Sequence, residues 1–224
     1  MTPEQLSGQT QSHLTNVMVG SKSFLVHPQV EQDLLGLVEA AQSAGFKLEI
    51  ASGFRDFERQ RLIWNNKFSG TTPILDSNSQ PIEPDSLNDQ EKLFSILRWS
   101  ALPGASRHHW GCDFDVFARN LLPIDTQLKL EPWEYLQGHQ QALYQWLCTN
   151  LEQHGFYFPY QKDLGGVAIE PWHISHRDTA ALCLSSLSIE VLAKQLALKP
   201  VLGQDVVISN LENIYSRFVT NISD

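Results

Sequence analysis

Two short stretches bring together side chains able to hold a metal and to move a proton. One is Ser106-Arg107-His108-His109-Trp110-Gly111-Cys112-Asp113-Phe114-Asp115; the other is Glu170-Pro171-Trp172-His173. A hydrolytic zinc centre takes about three nitrogen or oxygen ligands from the protein and keeps one position open. His108, Asp115 and His173 supply such a set, two imidazoles and one carboxylate. In a straight strand, the seven steps from His108 to Asp115 would span about 23 Å, whereas ligand atoms lie ~2 Å from a shared metal. The chain must therefore fold back between them, and Gly111 is placed to allow that turn. In the second stretch Pro171 lacks an N–H and pushes Glu170 towards extended backbone. A strand end bending at Pro171 is expected to aim Glu170 and His173 inward, one at the metal and the other at its water.

The charges suit hydrolysis. Zinc with two neutral imidazoles and one carboxylate stays net positive, which brings the pKa of a bound water towards ~7. Glu170 then acts as general base, taking that proton and returning it to the leaving amine. A developing oxyanion needs a cation or hydrogen-bond donors aimed at it, and Arg55 is the candidate, in Ser52-Gly53-Phe54-Arg55 just after an expected strand. Asp113 faces the same side as Asp115 by strand alternation; it either supports the site or displaces Asp115 as ligand. His109 is read as a supporting or packing residue, and His13, His27, His139 and His154 as ordinary surface or core histidines. Glu131-Pro132-Trp133-Glu134 repeats the Glu-Pro-Trp of the second stretch without its histidine and reads as a helix start.

The elements that must position these residues follow from periodicity. Residues 29–44 carry apolar positions on one helical face, with Gly45 as a stop. Residues 46–51 alternate as a half-buried strand, 56–65 read as helix, and 113–118 as a short strand. Residues 69–90, rich in Ser, Thr, Pro, Asn and Asp, read as a long surface insertion. One amphipathic helix is expected over 136–154, and two short strands over 156–158 and 167–169. Two C-terminal helices follow, at 188–198 and 209–219, the second opened by a Ser209/Glu212 capping box. Short strands among irregularly placed helices indicate an α+β fold, as one domain over 1–224 with its core at about 24–183.

Composition bounds the function. With 224 residues and 42% hydrophobic content, the chain can build a sizeable core. A net charge of −9 without any basic block excludes a general nucleic-acid binder and attachment to anionic lipid. No apolar run reaches the ~18 residues of a membrane span. The three cysteines are too few and too widely spaced for a disulfide framework or a zinc knuckle and are expected as free thiols. Residues 1–10 show neither a basic n-region nor an apolar h-region. The expectation is a cytoplasmic protein, or a periplasmic or exported one if a leader precedes this sequence.

Taken together, Ser-Gly-Phe-Arg with Gln60, Ser-x-His-x-x-Gly-x-x-x-Asp, and Glu-Pro-Trp-His resemble the VanY-type D-alanyl-D-alanine carboxypeptidases. That family stands in the wider zinc-peptidase group with VanX-type dipeptidases, lysostaphin-like endopeptidases and the hedgehog fold. The likeness runs from Leu48 to His176, and three motifs in order make it specific. It implies a small antiparallel sheet flanked by helices, one Zn2+ per chain in a cleft, and a short peptide or peptidoglycan fragment with a C-terminal D-alanine as substrate. It also implies His108, Asp115 and His173 as ligands, Glu170 as base and Arg55 as the transition-state arginine, with Ser52, Gln60, Ser106 and Trp172 lining the substrate cleft. The sequence departs from the pattern at Asp113, usually a small apolar residue. It departs again after Trp172-His173, where Ser175 and His176 replace a basic and an aromatic residue. Dipeptidase, L,D-carboxypeptidase and L-alanyl-D-glutamate endopeptidase specificities stay open on the same site, as does a zinc-stabilised binding domain without turnover.

Overall fold

The computed structural model describes residues 1–83 and 86–223; residues 84 and 85 of the expected insertion, and residue 224, lie outside the described residues. In chain order the helices and strands are α1 (Pro3–Leu6), β1 (Thr15–Val19), β2 (Lys22–Val26), α2 (Glu31–Ser43), β3 (Leu48–Ser52), α3 (Phe57–Phe68), β4 (Ile74–Leu75), β5 (Pro81–Ile82) and α4 (Asp89–Leu97). Then come β6 (Asp113–Ala118), α5 (Pro132–Leu136), α6 (Gln141–Asn150), β7 (Phe156–Tyr157), β8 (His173–His176), α7 (Arg177–Ser186), α8 (Ile189–Leu198), α9 (Gln204–Ser209) and α10 (Leu211–Ile214).

The fold is α+β, with a small antiparallel sheet flanked by helices. Four strands run in the order β3-β6-β8-β7, every neighbouring pair antiparallel. All six residues of β6 are buried, so this central strand is covered on both faces. Its register decides which side chains meet. Asp115 stands opposite Ser52 of β3 and His173 of β8, and Asp113 opposite Ser175. Between them Phe114 faces Ile174, both fully buried on the other face. Apolar positions thus fix the sheet against the helices while polar positions share one side. One hydrophobic cluster runs from Leu6 to Val219, so α1, the β1–β2 hairpin and the C-terminal helices share a core with the sheet.

Several expectations are corrected. The helix over 136–154 is broken: α5 ends at Leu136 and α6 begins at Gln141. Gly138 sits 2.9 Å from the Trp133 carbonyl, measured from where its Cβ would stand, and Gln140 turns inward. The Gln140 amide accepts from the Ala118 N–H at 2.7 Å and donates to the Ala118 carbonyl at 3.2 Å, closing the end of β6. Residues 167–169 form no strand; the Ala168 N–H donates to the Arg98 carbonyl and the Glu170 N–H to the Tyr160 carbonyl. The strand of that region, β8, lies after Pro171. Ser209 ends α9 and opens no helix, because the chain turns at Asn210 before α10. The segment 69–90 holds the β4–β5 hairpin with Ile74 buried, and α4 starts inside it under an Asn88–Glu91 capping box. α1, the β1–β2 hairpin, α4 beyond residue 90, α7 and α9 have no counterpart in the sequence reading.

The cysteines are free, Cys112 and Cys183 buried and Cys148 exposed. Among the described residues no single helix is long and apolar enough to cross a membrane.

The Gln140 clamp gives a stability prediction. Gln140→Leu leaves both Ala118 backbone groups buried and unpaired, at about 2 kcal/mol. A urea titration should show a lowered midpoint with an unchanged slope; an unchanged midpoint would deny the clamp a role.

Candidate active site

Three local devices bring distant residues to one place. The first is the β6–β8 register that sets Asp115 beside His173, with His173 Nδ1 3.3 Å from Asp115 Oδ1. The second is the reversal at Gly111, where a 3-10 turn over Arg107–Trp110 ends with φ of 72°. A Cβ at Gly111 would lie 2.4 Å from Leu14 and 3.1 Å from the His27 nitrogen, so glycine is required by conformation and by space. The reversal folds His108 back over β6, its Nε2 3.5 Å from Asp115 Oδ2. The third is a turn in which the His173 N–H donates to the Glu170 carbonyl at 3.1 Å, with Pro171 second in the turn. It places Glu170 Oε2 3.3 Å from His173 Nδ1.

The loop after β3 is stitched to the 107–110 turn. The Arg55 N–H donates to the His108 carbonyl at 3.1 Å, His108 Nδ1 meets the Gly53 carbonyl at 2.9 Å, and His109 Nδ1 meets the Arg55 carbonyl at 2.6 Å. A carbonyl only accepts, so His108 carries its proton on Nδ1 and offers the Nε2 lone pair to the site. His173 is turned the other way. Its Nε2 bonds Asp113 Oδ1 at 3.1 Å, leaving Nδ1 facing Asp115 and Glu170. This decides how the two aspartates differ. Asp113 grips the far nitrogen of His173 and is itself held by Arg107 Nε at 2.7 Å, while Arg107 Nη2 donates to Ser175 Oγ at 2.7 Å. The departure at position 113 thus has its counterpart in Arg107 and Ser175.

Among the described residues His108, Asp115 and His173 form the group of three whose ligand atoms all lie within 4.8 Å of one another, and all three are buried. The donor set fits a divalent transition metal such as zinc. A second observation agrees: Asp115 Oδ1 is buried and, although His173 Nδ1 stands 3.3 Å away, no group among the described residues is aligned to hydrogen-bond it. Burial would raise the Asp115 pKa, but His108 and His173 beside it hold it well below the usual carboxylate range. Burial opposes a charge on His173 too, yet its hydrogen bond to Asp113 and the carboxylates of Asp115 and Glu170 beside its ring raise its pKa well above the ordinary value. The carboxylates therefore favour positive charge at this spot.

The group opens on a cleft of about 350 Å³ whose wall includes Arg55, Lys67, Ser106, Tyr160, Glu170 and Trp172. Ser106 and Trp172 line it as expected. Ser52 and Gln60 are not among its lining residues; they hold Arg55, Ser52 Oγ accepting from Nη2 at 3.0 Å and Gln60 Oε1 from Nη1 at 2.8 Å. Arg55 pairs with neither Asp56, which caps α3, nor Glu58, which meets Arg61 and Lys199. The β4–β5 hairpin supplies part of the rim through Leu75 and Ser79, pinned where Trp99 Nε1 donates to the Asp76 carbonyl at 2.9 Å. Sequence reasoning missed Lys67 and Tyr160. Lys67 carries no motif signal; Tyr160, in an aromatic run, has its ring 5.1 Å from His173, and burial pushes its phenol up to about 12.

Comparison with known proteins places this geometry. A family model described as VanY, D-alanyl-D-alanine carboxypeptidase, matches residues 23–179. A Haemophilus influenzae protein described as uncharacterized is 39% identical over 121 residues, 53% of this chain and 92% of its own length. A solved structure of VanYB in complex with D-alanine-D-alanine superposes with a TM-score of 0.51 at 22% identity, over 83% of this chain and 88% of that one. A vancomycin-resistance D,D-pentapeptidase VanY in complex with Zn(II) gives 0.51 at 20% identity, over 88% and 92%. At these identities the two structures establish a shared fold.

His109 yields a pH prediction. It donates from Nδ1 and accepts the Gly104 N–H at Nε2, at 3.1 Å, so a second proton would set N–H against N–H. Burial, against the bond to the Arg55 carbonyl, lowers its pKa to about 3. A histidine depressed in the fold contributes stability that is complete above the unfolded value near 6.5 and is lost as pH falls towards 3. Between pH 7 and 4.5 the wild type should lose stability relative to His109→Gln by up to about 1.4 kcal/mol per pH unit. Parallel urea midpoints for the two proteins would contradict this.

Proposed function

The chain belongs to the VanY, D-alanyl-D-alanine carboxypeptidase, family, and from that membership we propose that it is a zinc-dependent carboxypeptidase removing a C-terminal D-alanine from peptidoglycan-type peptides. One observation carries the reading. Two imidazoles and a carboxylate converge on one point of a cleft, with a further carboxylate, Glu170, beside them and, on the same wall, an arginine without a carboxylate partner among the described residues. A domain that merely binds metal needs neither of the last two.

His108 through Nε2, His173 through Nδ1 and Asp115 are the residues that would hold the zinc. When bound, the metal supplies Lewis acidity at the scissile carbonyl and at the attacking water. Glu170 takes the water's proton and carries it to the leaving amine. Arg55, braced by Ser52 and Gln60, directs its guanidinium at the oxyanion as charge develops there. Asp113 keeps His173 in the tautomer that turns Nδ1 to the metal, a support of the kind that tunes affinity without ligating. Ser106 and Trp172 shape the wall against which the peptide lies. Membership of a family of D-alanyl-D-alanine carboxypeptidases supports this substrate, and the product analysis below decides among the specificities open on the site.

The test is product analysis by mass spectrometry on D-Ala-D-Ala, a D-Ala-D-Ala-terminated pentapeptide and an L,D-linked tetrapeptide, with a chelator control. Chelator-sensitive loss of one alanine from the pentapeptide is expected; a different product would move the specificity, and no cleavage with zinc bound would remove the enzyme reading. Glu170→Ala should lower turnover about 10²- to 10⁴-fold with zinc retained. Asp115→Ala should release zinc, whereas Asp113→Asn should weaken it about 10- to 100-fold. Metal analysis of the dialysed variants distinguishes these, and the reverse order of the two aspartates would overturn the ligand assignment.

A further inference from the structure

The cleft wall carries a second half-buried cation that the mechanism leaves unused. Lys67 stands on the last turn of α3, two helical turns after Gln60, so both face the cleft side of that helix. Its Nζ donates to Ser100 Oγ at 2.7 Å, and Ser100 also lines the cleft. Among the described residues the ion pairs of lysine and arginine join Arg61 and Lys199 to Glu58, Arg98 to Asp163, Arg107 to Asp113 and Arg119 to Glu49. Lys67 is in none of them. Burial lowers its pKa, the charge of Glu170 works against that, and the charge of Arg55 adds to it. An ammonium half-buried in a cleft wall and held by one neutral hydroxyl is placed to receive an anion.

We propose that Lys67, oriented by Ser100, binds the free C-terminal carboxylate of the peptide substrate and thereby makes the enzyme an exopeptidase. The two cations then divide the work by charge. Arg55, braced by neutral Ser52 and Gln60, meets a charge that exists only in the transition state, while Lys67 meets one present from the start. Holding both with neutral side chains keeps each free for the ligand. A carboxylate fixed at Lys67 sets how far beyond the scissile bond the chain can extend, which a longer or amidated peptide would not satisfy. This rests on the peptidase reading above.

The test compares kcat/KM on a D-Ala-D-Ala-terminated peptide and on its C-terminal amide, in wild type, Lys67→Met and Lys67→Arg. Wild type should prefer the acid. Lys67→Met should reduce the acid-to-amide ratio about 10- to 100-fold, mainly through KM, and Lys67→Arg should keep part of it. A ratio unchanged in Lys67→Met, with both substrates slowed alike, would make Lys67 a structural tie to Ser100 and overturn the proposal. A second measurement separates this from failure of the peptidase reading: NMR titration with N-acetyl-D-alanine and N-acetyl-D-alaninamide requires no turnover. Preference for the acid that disappears in Lys67→Met supports the site even if nothing is cleaved. Equal weak binding of acid and amide to wild type overturns it.

Discussion

The register of β6 against β8 is the constraint on which the site depends. Asp115 opposite His173 is one rung of an antiparallel ladder, and the next rung on the same face, Asp113 opposite Ser175, carries the support. A slip of one residue would turn every one of these side chains towards the helices and bring Phe114 and Ile174 into the cleft. The register is held because the intervening residues have nowhere else to go. Phe114 and Ile174 are fully buried, and β6 is closed at its far end by the buried Gln140 amide. The apolar core thus fixes the polar geometry, and the site carries its acids without having to hold the sheet together.

Around that rung the protein controls which nitrogen each imidazole offers. The Gly53 carbonyl takes the Nδ1 proton of His108, and Asp113 takes the Nε2 side of His173, so the two rings face each other through different atoms. Arg107 completes the arrangement by pairing with Asp113 and reaching Ser175. Burial of such a pair is costly unless it is well hydrogen-bonded, and here the same contacts that satisfy the pair also orient a candidate ligand. The expense is tied to a use.

Much of this was legible in the sequence, for identifiable reasons. Gly111 between His108 and Asp115 implied a reversal because no straight strand could close that distance, and the φ of 72° there is the reversal. Alternation placed Asp113 and Asp115 on one side, and β6 has the expected bounds, Asp113–Ala118. Alternation could not say which aspartate faces His108 and which grips the far side of His173, because that depends on the partner strand, and β8 was expected on the wrong side of Pro171. The unbroken helix over 136–154 failed for a tertiary reason, the inward turn of Gln140 to β6. Lys67 was invisible because it lies past the helix expected over 56–65, which continues to Phe68, and because only packing marks it out, here Ser100 from a segment 33 residues away. The supporting roles of Ser52 and Gln60 were likewise beyond a motif, which fixes proximity without direction.

The central claim is the identity of the atoms that converge. A crystal structure of the zinc-loaded protein, with anomalous diffraction measured on either side of the zinc edge, tests it directly. One peak per chain is predicted, bounded by His108 Nε2, His173 Nδ1 and an Asp115 carboxylate oxygen, with Asp113 still on His173 Nε2. A peak coordinated by Asp113 or by His173 Nε2, or stoichiometric zinc bound elsewhere, would contradict the account.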